Sequence, residues 1–279
     1  MNTTNSNSNE TILKLDNMVK GNIINRPSKK CKSPYVADVL LEDGTEVIAH
    51  APSLGCCGYA DKCQDVYMIK HENPKTCSHV IHLAIRNEKE TNYLIGIHPK
   101  SSEKIVNKCL EIGCIEGLED LSDIKAEQCY LNSRFDFVCK DKNNIQTIIE
   151  VKNVPCGDYE DVLSKYKKNK DYSDRDVNSK IAYFPDGYRK KTTDTISPRA
   201  LKHIQELEEL KTTNENIRTI IIFVIQRQDC EYFQASNVDP IYKTALNKAY
   251  DNGVEVIPIQ VHWEDDGSCY YDKILDFHK

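Results

Sequence analysis

Apolar and polar residues alternate in short runs through residues 35–97, and turn-forming residues separate the runs. The segments YVADVLL, EVIAH, DVYMIKH, HVIHLAIR and NYLIGI each carry the period of two that sets one face of a strand against a core. Asp43-Gly44 joins the first two as a hairpin, because Asp-Gly accepts the positive φ angles of a type I′ turn. Short strands at this spacing predict a small β-barrel, with the OB-fold as the leading candidate. In HVIHLAIR the alternation sets Ile81, Leu83 and Ile85 on one face and His82 and Arg86 on the other. That second face reads first as a solvated strand surface and second as a nucleic-acid contact.

The period changes after residue 93. A helix is predicted around Ile105, Val106, Cys109 and Leu110, capped by Ser101 or Ser102 and closed by Gly113 in a left-handed conformation. SPRALKHIQELEELK predicts a second helix with Ser197 as N-cap, Pro198 in the first turn, and Leu201, Ile204 and Leu207 toward the core. TIIIFVIQ reads as a fully buried strand, DPIYKTALNKAYDNG as a third capped helix with Asp239, Pro240 and Gly253, and VEVIPIQV as a last strong strand. This alternation predicts an α/β domain with a central mixed sheet. The expected organisation is a disordered polar leader over 1–18, an OB-like β-barrel over 19–92 and the α/β domain over 93–279.

Composition narrows the function classes. A chain of 279 residues, 39% hydrophobic, is long enough for two domains. A net charge of −6 argues against a protein that coats nucleic acid without specificity. The charge is unevenly spread, however: Lys and Arg exceed Asp and Glu by four over residues 152–202, a segment that holds KYKKNK and RKK. Lys167, Lys168, Arg189 and Lys190, with Lys202 and His203 on the following helix, are therefore candidate nucleic-acid-binding residues. The longest wholly apolar run, IIIFVI, falls far short of the roughly 20 residues that span a bilayer, so no membrane partner is expected. MNTTNSNSNE has neither a basic start nor an apolar core, which predicts an intracellular, soluble protein whose 12 irregularly spaced cysteines stay reduced. Cys56, Cys57, Cys63 and Cys77, with His79 and His82, offer zinc-ligand types without a CxxC pair, and small buried thiols are the preferred reading.

One stretch carries unexpected charge. In SRFDFVCKDKNNIQTIIEVKNV, Asp136 interrupts one apolar strand, and Glu150 and Lys152 interrupt the next. Adjacent strands would bring two carboxylates and an ammonium to one edge of the sheet, with Glu150 and Lys152 on one face because side chains alternate. Hard oxygen ligands of this kind suit Mg²⁺ or Mn²⁺, and the trio suits phosphodiester hydrolysis. The D-x13-E-x-K spacing is equally that of a structural ion pair between Glu150 and Lys152. Asp186 in FPDG is a turn residue or a further acidic ligand, and Arg227 either pairs with Asp229 or reaches phosphate.

The segments LIGIHPKSSEKIVNKCLE, AEQCYLNSRFDFV, IIEVKNV, FPDG, PRALKHIQEL, IIFVIQRQDCEYF, DPIYKTAL and GVEV occur in an order, over residues 93–257, that resembles the sugar fermentation stimulation protein A family. The resemblance implies an OB-like domain followed by a restriction-endonuclease-like PD-(D/E)xK domain. It places Asp136, Glu150 and Lys152 at the nuclease-like catalytic positions and adds Glu127 to Asp136 and Glu150 as a metal ligand. NRPSKKCKSPYVADV and PSLGCC depart from the family's arginine-bearing segment and Asn-x-Gly-Arg loop, with Ser53, Gly55 and Cys56 where that loop would lie, which marks a divergent member. Two functional classes follow: a metal-dependent nuclease on DNA or RNA, and a DNA-binding or regulatory protein that keeps the nuclease fold without turnover.

Overall fold

The computed structural model describes residues 10–54, 57–187, 191 and 193–279. Residues 1–9 lie outside the described residues, and from Thr11 the expected disordered leader is corrected. β1 (Thr11–Lys14) is an ordered strand, its Ile12 buried. β2 (Met18–Asn25), β3 (Val36–Leu41), β4 (Glu46–His50), β5 (Asp65–Lys70), β6 (His79–Glu88) and β7 (Thr91–Gly96) follow and make one six-stranded sheet in the order β4-β3-β2-β5-β6-β7. An additional parallel pairing joins β4 to β6 through Ala49↔His79 and His50↔Val80.

The alternation of apolar and polar residues marks β3 to β7 but not β2. MVKGNIIN mixes polar residues and a glycine into the strand, so no clean period of two shows there. Packing explains the glycine: a Cβ on Gly21 would lie 2.6 Å from Cγ1 of Val39, so only glycine lets β2 and β3 approach this closely. β7 pairs with β6 from Leu83↔Gly96 to Glu88↔Thr91, so this sheet runs past the expected boundary at residues 92 and 93.

α1 (Pro99–Ile112) leads into β8 (Ser122–Tyr130), β9 (Ser133–Lys140), β10 (Gln146–Val154), the short β11 (Gly157–Asp158) and β12 (Lys180–Phe184). α2 (Pro198–Thr213), β13 (Ile217–Ile225), β14 (Cys230–Ala235), α3 (Pro240–Asp251), β15 (Glu255–Trp263), β16 (Ser268–Ile274) and β17 (Asp276–His278) complete the chain. A seven-stranded sheet runs β1-β16-β15-β13-β10-β9-β8, parallel at β10–β13–β15 and antiparallel elsewhere. The fold is thus mixed α/β with several sheets, and β1 joins the edge of the C-terminal sheet.

Two apolar layers cover the large sheet. On one face Ile149, Val151, Ile220, Ile222 and Ile259 pack with Ile105, Val106 and Cys109 of α1, and with Leu83 and Leu94 of the N-terminal sheet. On the other, Ile148, Ile221 and Phe223 pack with Ile204 and Leu207 of α2 and Leu246 of α3. The side chains of Ser197 and Asp239 accept from the amides of Ala200 and Tyr242 as N-caps of α2 and α3, and Gly113 closes α1 at φ 63°. The expected cap on α1 differs: His98 takes that position, while Ser101 and Ser102 are buried inside the helix. Ser102 Oγ instead donates to Asn153 Oδ1 at 3.0 Å, which binds α1 to β10.

One buried knot joins the sheets. Arg227, 0% exposed, pairs through Nε and Nη2 with both oxygens of Asp229 at 2.5 and 2.6 Å, and its Nη1 donates to Tyr59 Oη at 2.7 Å and to the carbonyls of Pro155 and Gly157 at 3.1 Å. Lys180 adds a second cation, 2.8 Å from Asp229 and 3.0 Å from Glu88 of β6. Each charge has a counter-charge in contact, which offsets the cost of burying it. Arg227→Leu leaves Asp229 short of its main partner, so urea unfolding should show a loss of about 3–5 kcal/mol. Tyr59→Phe removes one hydrogen bond and should cost about 1 kcal/mol. Equal losses would mean that the pair does not anchor the two sheets.

Candidate active site

β9 and β10 pair from Lys140↔Gln146 as far as Phe137↔Ile149 and then part. The gap admits the side chain of Asp136, whose Oδ2 accepts the Val151 amide at 2.7 Å in place of the lost ladder bond. β10 continues alone beside β13 and carries Glu150 and Lys152 into the opening. The result is a cleft of about 290 Å³ whose walls include Asp136, Glu150, Lys152, Glu103, Asp186 and Arg199. The structure therefore brings together all three residues expected to be catalytic.

Glu150 is only 2% exposed. Its Oε1 is held by Lys152 Nζ and by His203 Nδ1, while Oε2 is buried with no hydrogen-bond partner among the described residues. His203 reaches it because α2 buries Ala200, His203, Ile204 and Leu207 at helical spacing, and the imidazole tilts against Phe135 with ring centroids 5.8 Å apart. Burial works to raise the Glu150 pKa, but the Lys152 ammonium and the His203 contact outweigh it and hold the carboxyl below its usual range. Asp136 shows the opposite balance. Burial and then the Glu150 charge push its pKa up to about 7, against smaller lowering effects of Lys152 and the Val151 amide, with Glu103 adding further repulsion. The shifts diverge because Lys152 and His203 contact Glu150 directly, whereas Asp136 is buried beside that charge; strongly shifted acids in a cleft mark a candidate functional site.

Other expected residues fall differently. Glu127 faces Asp136 across the ladder, between Ala126↔Phe137 and Gln128↔Phe135, but φ 54° distorts β8 there. Its exposed carboxylate turns to Arg134 at 3.2 Å and is not among the cleft walls. Glu103, in the second turn of α1, lines the cleft where Glu127 does not. Sequence reasoning misses that residue because a glutamate in the second turn of an amphipathic helix reads as part of its solvated face. His203 is buried against Glu150, not turned to an outside phosphate, and Lys202 donates to the Asn132 carbonyl at 2.5 Å. Lys167 pairs with Asp158 at 2.7 Å, and Lys168 is exposed. Arg189 and Lys190 lie outside the described residues. His82 is no solvated strand residue: it stacks on His98 with ring centroids 4.4 Å apart. Arg26, in the segment that departs from the family pattern, is folded inward onto the carbonyls of Pro34, Ala60 and Ser53. Of the cysteines weighed as zinc ligands, Cys63 is exposed and Cys56 lies outside the described residues.

A mixed α/β chain with an acidic cleft where β9 and β10 part has clear relatives. The family model described as the sugar fermentation stimulation protein RE domain matches residues 100–164 and 170–267. The chain belongs to the sugar fermentation stimulation protein family. A sugar fermentation stimulation protein homolog of Jannaschia sp. is 29% identical over 227 residues, covering 80% of this chain and 81% of its own. One from Paramagnetospirillum magneticum is 28% identical over 238 residues, covering 84% and 86%. The structure of Pyrococcus furiosus SfsA in complex with Ca²⁺ aligns with a TM-score of 0.74 at 19% identity, over 97% of this chain and all of that one, which shows a shared fold. No helix among the described residues is long and apolar enough to cross a membrane.

The raised Asp136 pKa has a stability consequence with a definite sign. A carboxyl whose folded pKa of about 7 exceeds the ordinary 3.8 stabilises the fold fully below 3.8, and that contribution fades as pH rises toward 7. In chelator, Asp136→Asn should therefore gain stability over wild type progressively across this window and hold a constant lead above it, of the order of a few kcal/mol. Urea titrations at several pH values measure it. A lead that does not grow with pH would mean that Asp136 is not held at a cost.

Proposed function

We propose that this chain is a metal-dependent phosphodiesterase acting on nucleic acid, with DNA as the expected substrate. The observation that carries the reading is Glu150: a carboxylate buried in the sheet, with one oxygen held by Lys152 and His203 and the other without a partner among the described residues, beside an Asp136 that repels it. A structural ion pair has no need for the second acid or for an open cleft. The donor set fits a hard divalent cation. Asp136 and Glu150, with Glu103 opposite, would hold Mg²⁺ or Mn²⁺ through oxygen, and the Ca²⁺ complex of Pyrococcus furiosus SfsA agrees with that chemistry. When bound, such an ion acidifies a water and offsets charge on phosphorus.

The protein's own groups have separable roles. Lys152 supplies an ammonium at the cleft that orients a nucleophile or meets charge developing on a phosphoryl oxygen. His203 holds Glu150 Oε1 and so fixes the carboxylate with its other oxygen, buried and unpartnered among the described residues, beside Asp136. Arg199, exposed at the cleft as the second residue of α2, is placed to receive a neighbouring phosphate beside a helix N-terminus.

The N-terminal sheet we read as OB-like. Its pairings run β2-β3-β4-β6-β5 and return to β2, a five-strand circuit joined by the parallel β4–β6 contact, with β7 outside it. In the same reading the C-terminal part is a PD-(D/E)xK domain. Lys152→Ala separates enzyme from binder, because it removes the ammonium and keeps the acids. Cleavage of DNA in Mn²⁺ should fall by at least about 100-fold while gel-shift affinity stays nearly constant. Undiminished cleavage would remove Lys152 from the reaction, and wild type without metal-dependent cleavage on DNA or RNA would leave a non-catalytic DNA-binding protein.

A further inference from the structure

A second group of ligand atoms stands at the border of this cleft and differs in chemistry from the first. Cys57 Sγ, Cys156 Sγ and a carboxylate oxygen of Asp186 lie within 4.8 Å of one another. They come from three distant segments: the turn between β4 and β5, the link from β10 to β11, and the loop after β12. Hydrogen bonds already hold part of the group together. The Cys57 amide donates to Asp186 Oδ2 at 3.1 Å, and Cys57 Sγ lies 3.1 Å from Tyr183 Oη in a hydrogen bond that either atom can donate. Cys156, Tyr183 and Asp186 line the cleft that holds Asp136 and Glu150, whereas Cys57 borders the neighbouring one beside Tyr59.

We propose that Cys57, Cys156 and Asp186 form a site for a thiophilic divalent cation of the Zn²⁺ class, distinct from the oxygen-ligand site at Asp136 and Glu150. Two thiolates and one carboxylate match the ligand softness of Zn²⁺ and mismatch Mg²⁺ or Ca²⁺, which take oxygen. Three protein ligands leave a fourth tetrahedral position open to water or to a phosphate oxygen in the cleft. The site's first effect is mechanical: it ties the Cys57 turn of the N-terminal sheet to the wall of the C-terminal cleft. Both thiols release protons on binding, so affinity rises with pH. This inference stands on donor chemistry and does not rest on cleavage by the first site.

Co²⁺, which takes the same ligands as Zn²⁺ and absorbs light, gives a direct test on the full-length, reduced protein. Titration should produce a thiolate-to-cobalt charge-transfer band that Zn²⁺ bleaches. The band should vanish in Cys57→Ser and persist in Asp136→Asn, and Asp186→Asn should weaken affinity by at least about tenfold. Because Cys156 is buried and its replacement bears on folding, a second measurement uses wild type alone. Zn²⁺ should slow alkylation of Cys57 and Cys156, mapped by mass spectrometry, by at least about tenfold and leave exposed Cys63 and Cys129 unaffected. Absence of the band, a band that survives Cys57→Ser, or equal alkylation with and without Zn²⁺ would each overturn the assignment.

Discussion

Glu150 stands on β10 next to β13, buried at every residue but Arg218, and an ionised carboxylate there loses almost all of its hydration. Such a charge survives only with close counter-charge and hydrogen bonds. The chain supplies them from two directions: Lys152 from the same strand face and His203 from the buried stripe of α2. Much of the local architecture follows from this requirement. α2 must dock with His203 inward, which its cap at Ser197 and its stripe of Ala200, Ile204 and Leu207 secure. β9 must leave β10 after Phe137, since continued pairing would close the ladder over the carboxylate.

The remaining oxygen of Glu150 and the repelled Asp136 are what the fold does not balance. Rigid surroundings keep them so. Arg227, Asp229, Lys180 and Tyr59 cross-link the strands and loops on the far side of β10, and Ser102 fixes α1, with Glu103 on it, to Asn153. Neither contact touches the acids. Both prevent the cleft from relaxing into a state where Asp136 moves off to solvent or Glu150 gains another donor. Stability is held in the knot and spent, in small part, on a pre-formed arrangement of like charges.

Helices α1 to α3 and strands β9, β10, β13 and β15 of the C-terminal sheet were legible because their signals are local: Ser197-Pro198 and Asp239-Pro240 at helix starts, Gly113 past a helix end, and an unbroken apolar run for β13. Asp136, Glu150 and Lys152 stood out for the same reason, as charges where a strand pattern demanded apolar residues. What sequence hid was long-range. β1 is a strand only because β16, more than two hundred residues away, offers an edge, and β2 is recognisable only once Val39 explains Gly21. Glu127 stays out of the cleft and Glu103 lines it, because a positive φ in β8 and the docking of α1 decide which acid reaches it. His203 looked equally like a phosphate contact or a packed imidazole, and its partner lies 53 residues earlier.

A set of carboxylate oxygens lines the cleft and a sulfur-bearing set stands at its border, and the two suit different classes of ion. After burial, Glu150 and Glu103 both push the Asp136 pKa up, and a hard cation bound among these acids would relieve that repulsion. The thiols of Cys57 and Cys156 are neutral when protonated and impose no such repulsion, so their selectivity rests on softness. Asp186 is an acid that belongs to the cleft wall yet already holds a backbone amide, that of Cys57. Its position links the two sets, because anything that draws Asp186 toward the other carboxylates must first break its hydrogen bond from the Cys57 amide.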